Sequence, residues 1–295
     1  MGTINSVIIK NRVSLASLCF YKSGGIALYY GEPLTEAELS VILKNRGRYS
    51  KDIFIFGLGS NILFSDDEID CLFVSLRYFN KWIFYKDNYF YAGAGVILDD
   101  FIKYTLNFGF SKIAYLSGIP GTIGGAVSMN AGAFGVEMKD FAYEVSIMTL
   151  DGDCGKINNC DIGFSYRQAK NLSDKIVLMA KFKICIEGDK MKGFKVRNAI
   201  LKKRSLKQPL EYPSCGSVFK RGKDYFAGEL IEKCGLKGYE IGGCEVSRKH
   251  ANFIINRNGA KSSDIYSLIM YIKKTVKDKF NIDFEEEVKL VGFSR

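Results

Sequence analysis

The sequence predicts an α+β protein with more than one compact part. Helical and strand patterns alternate along the chain, with neither running throughout. Its 295 residues exceed the usual size of one domain, which favours two domains, or one large one, each with a real core. Near Glu187-Gly188-Asp189 strand-like segments give way to a basic helix, so we place a boundary there, between residues 1–187 and 188–295.

The elements follow in order. Thr35-Glu36-Ala37-Glu38 is a capping box, because the Thr35 hydroxyl and the Glu38 carboxylate can satisfy each other's orphan backbone donors. Leu39, Ile42 and Leu43 then form one apolar stripe, and Gly47 can close the helix in a left-handed conformation. Asp52 to Phe56 reads as a short buried strand running into Gly57-Leu58-Gly59-Ser60-Asn61. Tyr89 to Gly95 reads as a strand entering a glycine turn, and Leu98 to Phe108 as a helix ended by Gly109. From Gly118 to Gly135 there are six glycines and no charged side chain. Strands resume at Val145–Leu150 and 175–186, followed by the basic helix Val196–Ser205. Ser263 or Asp264 caps a helix with Ile265, Leu268, Ile269, Ile272, Val276 and Phe280 at helical spacing, and Phe284 to Phe293 closes the chain as a strand.

Composition narrows the function. An apolar share of 47% and a charged share of 25% are ordinary for a soluble globular protein. The 42 basic against 32 acidic side chains give +10, which suits an anionic partner, nucleic acid or diphosphate alike. The lysines are scattered, with no basic run and no aromatic RNA-binding motif, so nucleic acid is not the expected partner. Eight cysteines form no CxxC pair, and the one histidine, His250, builds no zinc site; the thiols read as reduced and mostly buried. No apolar run reaches membrane-spanning length. The run Val13–Tyr21 after Lys10 and Arg12 faintly imitates a signal peptide, but begins late and lacks a cleavage site, and reads as folded structure. Met1–Ser6 fits a myristoylation pattern of a length that recurs by chance. The expectation is a cytoplasmic protein.

Two glycine blocks carry the first functional signal. A loop that cradles phosphate needs outward N–H groups and no Cβ atoms in the way. Gly57-Leu58-Gly59-Ser60-Asn61 meets that need, yet lacks the third glycine of a dinucleotide fingerprint and the Gly-Lys-Ser/Thr ending of a nucleotide-triphosphate loop. Alone it is equally a plain turn. Ile119 to Gly135 fits either close packing through small residues or a flat ligand lying on bare backbone; ordering so many glycines costs entropy that a ligand would justify.

Five blocks in register make a resemblance specific. They are Gly57–Asp66, Ile119–Gly135, Gly163-Phe164-Ser165-Tyr166-Arg167, Lys207–Arg221 and Lys249–Asn256. Together they resemble the UDP-N-acetylenolpyruvoylglucosamine reductase (MurB) family, from about residue 50 to the C-terminus. The compact Gly216-Ser217-Val218 spacing is similar to the shorter, type II-like form. Ala16–Gly25 lacks the family's Asn-Thr opening, Ala169 stands where serine is usual and Gly222 where proline is usual.

The resemblance implies a flavin-binding part of the vanillyl-alcohol-oxidase/PCMH type, made of two α/β subdomains, plus a smaller α+β substrate domain. It implies noncovalent FAD, NADPH as co-substrate, a UDP-sugar substrate and a monomer. FAD would be held by Gly57, Leu58, Gly59, Ser60, Asn61 and Ile62, by Gly121, Thr122, Ile123, Gly124 and Gly125, by Asn130, Ala131 and Gly132, and by Arg204. The glycine loops would hold the pyrophosphate through backbone N–H groups. Arg167 would stabilise developing charge with help from Glu287, Ser217 would supply a proton, and Tyr166 and Lys207 would touch substrate.

Read by themselves these residues stay ambiguous: Arg167 as a surface charge, Ser217 as a turn residue, Glu287 as part of a solvated acidic face. Strand alternation would put Glu285, Glu287 and Lys289 on one side of the last strand. Rival readings are a flavin oxidase or dehydrogenase acting on an alcohol or sugar, a cysteine hydrolase using Cys215 and His250, and a basic nucleic-acid-binding module.

Overall fold

The structure, a computed structural model, describes residues 9–183 and 189–293. The Met1–Ser6 pattern, Cys185 and the Glu187-Gly188 part of the expected boundary lie outside the described residues. The chain divides into two compact units. One takes the chain up to Asn11, Tyr29–Leu58 and Asp70–Lys203; the other takes Arg12–Leu28, Gly59–Ile69 and Arg204 onward.

Strands that alternate and helices with one apolar stripe must bury those faces against each other, and the first unit is built this way. Its five-stranded antiparallel sheet runs in the order Cys154–Asn158, Ala142–Thr149, Lys175–Lys183, Tyr89–Gly93, Ile83–Lys86. The helix Leu98–Leu106 brings Phe101 against Phe182 (ring centroids 4.6 Å), and Phe90 meets Phe101 and Phe108 edge-on. Ile53–Phe56 pairs in parallel with Leu72–Ser75, and Leu39, Ile42 and Leu43 of the helix Glu36–Asn45 are buried in the same core. Ile53–Phe56 belongs to a four-stranded sheet ordered Lys10–Ser14, Ile26–Gly31, Glu68–Ser75, Ile53–Phe56.

In the second unit the helix Ser262–Phe280 buries Ile265, Leu268, Ile269, Ile272 and Val276. It packs on the helix Ala227–Lys233 and on a small sheet ordered Glu240–Ile241, Cys244–Val246, Ile254–Asn256. Leu15, Leu18, Cys19 and Tyr21 from the early apolar run are buried, as expected for folded structure.

Several local expectations shift. Thr35 does cap its helix, its hydroxyl accepting the Glu38 N–H at 3.3 Å, but the Glu38 carboxylate takes the N–H of Leu34 instead of that of Thr35. Gly47 is not left-handed; the helix tightens into a turn at Arg46–Arg48, and the Arg46 guanidinium takes the Leu43 and Leu150 carbonyls. The basic helix is longer than expected, Lys190–Lys207. The last strand is shorter, Lys289–Val291, pairing in parallel with Ile62–Phe64. Before it, Glu285 and Glu286 turn to Lys220 and Lys273 as ion pairs, so the simple alternation fails there. Of the seven described cysteines, Cys19, Cys71, Cys215 and Cys244 are buried, whereas Cys154 and Cys160 are exposed.

Candidate active site

The second glycine block is not a loop throughout. Ile123–Ser128 is a short helix, and Thr122 caps it with a hydroxyl that accepts the Gly125 N–H at 3.4 Å. The Ile123 N–H goes to the Val96 carbonyl (2.8 Å) and the Gly124 N–H to that of Ala94 (2.9 Å), so these two donors are spent inside the protein. A Cβ on Gly124 would lie 2.9 Å from the Ala94 Cβ, making this a packing glycine; a Cβ on the exposed Gly125 would meet only the Thr122 Oγ1, at 3.7 Å. The blocks meet within the first unit, since a Cβ on Gly57 would fall 2.6 Å from the same Thr122 Oγ1. Gly57 is therefore a packing glycine as well and Thr122 is buried, so the uncovered main chain of this block is at Gly125. Gly125 fits a flavin dinucleotide in that respect, offering main chain that a side chain would otherwise cover.

Asn130, also in the first unit, is fully buried with φ +42°, and its side chain is saturated by protein. Its amide donates to the Ser165 carbonyl (2.9 Å) and to Glu137 Oε2 (3.0 Å), and its oxygen accepts the Lys139 N–H (3.0 Å). Ser165 begins a two-residue hairpin turn, Tyr166-Arg167, between Phe164–Ser165 and Gln168–Ala169. Arg167 sits at φ +56°, a left-handed position that favours glycine or asparagine and costs an arginine on the order of 1 kcal/mol. The guanidinium stacks over Tyr166 at 5.2 Å from the ring centroid. Burial opposes ionisation of Glu137, but Lys139, Asn130 and the Arg167 charge outweigh it, and the carboxyl lies below the ordinary glutamate range.

In the second unit Gly59 has φ +68°, and a Cβ there would fall 2.0 Å from the Leu18 carbonyl. Asn61 turns its amide to the Glu287 carbonyl (2.9 Å), and its own carbonyl accepts the Lys289 N–H (3.0 Å). The Glu287 N–H donates to the Val218 carbonyl at 2.7 Å, and Phe219 bridges Glu286. Ser217, half-buried, bridges Phe253 on the other side, after a Gly216 at φ +78°. Glu287, Asn61 and the Ser217 strand are thus brought together. Arg204 and Lys207 lie in the last turn of Lys190–Lys207; Arg204 Nη1 reaches Gln208 Oε1 at 3.4 Å, and Lys207 is exposed.

The hydrolase reading loses its nucleophile here. Burial pushes the Cys215 thiol well up, and its sulfur lies on the Ile62 carbonyl at 3.2 Å. Burial likewise holds His250 below its usual range, with its ring against Phe253.

Residues 27–158 match the model of an FAD binding domain, and residues 208–291 that of the UDP-N-acetylenolpyruvoylglucosamine reductase C-terminal domain. The chain is 39% identical over 285 residues to the reductase of that name from Lactobacillus delbrueckii subsp. bulgaricus, covering 96% of this chain and 95% of that one. It belongs to the UDP-N-acetylenolpyruvoylglucosamine reductase family.

The Listeria monocytogenes reductase is 37% identical over 288 residues, covering 97% of this chain and 96% of that one. The crystal structure of the MurB reductase from Thermus caldophilus aligns with a TM-score of 0.82 at 27% identity, covering 97% of this chain and 99% of that one. The α+β fold with a flavin-binding part of the vanillyl-alcohol-oxidase/PCMH type is that of the family, and the chain is an FAD-dependent oxidoreductase. Two residues that sequence reasoning left without a role enter here. Asn252 holds the Ser217 strand, and Asp66 accepts the Ser262 and Ser263 N–H groups at 2.8 Å each. A polar residue inside the apolar run Ala251–Ile255 was a readable signal for Asn252; nothing local marks Asp66 as a cap for a helix so far along the chain.

Proposed function

We propose that the protein reduces UDP-N-acetylglucosamine enolpyruvate to UDP-N-acetylmuramate, with NADPH as electron source, in the cytoplasm, for peptidoglycan synthesis and hence cell shape and division. The observation that supports this most is the likeness to the Thermus caldophilus reductase over almost the whole of both chains. In this reading residues 1–187 serve the cofactor and 188–295 the substrate, which the ranges of the two matched family models support. FAD is noncovalent: the chain's single histidine packs on Phe253, while the bare backbone lies at Gly125. The protein works as a monomer, and its +10 charge suits anionic diphosphate ligands.

FAD held by these residues and reduced by NADPH would supply the hydride chemistry at the β-carbon of the enolpyruvyl group. Negative charge then develops along the α-carbon and carboxylate of the substrate, and the chain's own residues manage that charge. Arg167 offers a planar, permanently charged fork to the carboxylate, and its strained turn and its stacking on Tyr166 hold that fork in one direction. Glu287 is the second charged residue assigned to this reaction. Ser217 delivers a proton to the α-carbon; a hydroxyl is a weak acid, but the carbanion-like centre is very basic. Arg204 and Lys207 at the end of their helix take phosphate charge, and Tyr166 lies against substrate. Of the first-turn donors of the second glycine block, Gly124 and Ile123 are committed elsewhere, so its part is to present backbone surface, and Gly57–Ile62 supplies phosphate contacts.

Purified protein tests this reading. It should be yellow, release all colour on acid precipitation, and bleach faster with NADPH than with NADH. Colour kept in the pellet rejects noncovalent binding, and a colourless protein that binds DNA with steep salt dependence rejects the whole reading.

A further inference from the structure

Ser217 sits in a segment tied to its neighbours by isolated bridges, Ser217 to Phe253 and Phe219 to Glu286, so something else must help fix its main chain. Asn252 does this with three hydrogen bonds inside the second unit. Its Oδ1 accepts the Phe219 N–H at 3.0 Å, its Nδ2 donates to the Phe219 carbonyl at 2.9 Å, and its backbone carbonyl accepts the Val218 N–H at 2.9 Å. The side chain thus replaces a neighbouring strand at Phe219, while the Asn252 main chain holds Val218. On the opposite edge the Val218 carbonyl accepts the Glu287 N–H (2.7 Å), and the Glu287 carbonyl accepts the Asn61 amide (2.9 Å). A continuous chain of hydrogen bonds runs from Asn252 through Val218 to Glu287 and Asn61. Asn252 is only 8% exposed, so losing its amide leaves buried main-chain groups of Phe219 without their partners.

We propose that Asn252 is a positioning residue for the reaction, holding in place the main chain that carries Ser217. This rests on the reading that Ser217 is the proton donor. An amide suits the task because it presents one donor and one acceptor in the geometry of a peptide group. A leucine of similar size presents neither, and an aspartate keeps only the acceptor. A misplacement of about 1 Å at a reacting group costs about 100-fold in rate, which sets the expected scale.

The test uses FAD-loaded protein carrying Asn252→Leu or Asn252→Asp, alone and combined with Ser217→Ala. Each half-reaction is followed by rapid mixing: flavin reduction by NADPH, and reoxidation of dithionite-reduced protein by the enolpyruvyl UDP-sugar. Both single variants should keep full FAD content and reduction within about twofold, with reoxidation slowed about 10- to 100-fold. Added to Ser217→Ala, either substitution should change reoxidation by less than about twofold, because the group it positions is already gone. Equal slowing of both half-reactions, loss of FAD, or a full further effect in the Ser217→Ala background would overturn the inference. Should Asn252→Leu fail to fold, Asn252→Asp decides by the same criteria; failure of both to fold makes the residue structural and overturns it too. If Ser217→Ala alone leaves reoxidation untouched, the fault lies with the proton-donor reading.

Discussion

The Glu287 N–H donates to the carbonyl of Val218, the residue after Ser217, at 2.7 Å. Two of the residues proposed for the reaction, Ser217 and Glu287, thus lie on neighbouring backbone segments of the second unit. We predict that Ser217→Ala leaves flavin reduction by NADPH nearly intact and slows reoxidation by substrate by several orders of magnitude. Ser217→Cys should recover part of the rate, since a thiol still donates. Equal slowing of both steps in rapid mixing would make the serine structural.

Gly124 and Gly125 are adjacent but should respond differently. A Cβ at Gly124 collides with Ala94, while one at Gly125 enters open space. Gly124→Val should destabilise the fold by about 1–3 kcal/mol through overpacking, read as a lower melting temperature. Gly125→Val should stay folded and soluble but come out depleted in flavin. Full flavin occupancy with normal turnover in Gly125→Val would place the cofactor elsewhere.

Arg167 occupies a backbone conformation that asparagine tolerates better. Arg167→Asn should therefore keep the hairpin, the melting temperature and the FAD, yet lose about 100- to 1000-fold in the substrate half-reaction as the cation disappears. Arg167→Lys should fall well below wild type despite the retained charge, because an ammonium cannot match the planar fork. A lysine variant with wild-type kinetics would reduce the role of Arg167 to charge alone.

Much of this was legible from residue chemistry, and the exceptions have identifiable causes. Thr35 was readable as a cap because its donor lies three residues away. The helix at Ile123–Ser128 was hidden because glycine and alanine carry no apolar period, although Thr122 before it was a capping signal. Arg46 replaced Gly47 at the end of the first helix because its guanidinium finds the Leu150 carbonyl, a partner no local pattern reveals. Asn130 was readable as important but not in its manner: its side chain serves Ser165, Glu137 and Lys139, leaving only main chain for a ligand. The strand after Phe284 is broken because Glu286 bridges Phe219 while Lys289–Val291 pair with Ile62–Phe64, the chain bending between the two partners at Glu287–Val288.

Asp66 grips both Ser262 and Ser263 N–H groups at the start of the long helix Ser262–Phe280. Desolvation of this carboxylate is outweighed by those bonds, so its pKa lies below the ordinary aspartate range. A depressed carboxylate contributes stability that is fully present above the unfolded value, about 3.9, and is lost as pH falls through the folded value. Asp66→Asn should cost about 1 kcal/mol at pH 7 in urea unfolding, with the deficit shrinking as pH falls below about 4. A deficit that does not change with pH would mean the charge is not what holds the helix.

The central claim is tested most directly in a single anaerobic mixing experiment. The FAD-loaded protein is reduced with dithionite until its visible absorption is gone, and one equivalent of UDP-N-acetylglucosamine enolpyruvate is added. The flavin absorption should return in full as one equivalent of UDP-N-acetylmuramate forms. Flavin that stays bleached in the presence of that substrate would contradict it.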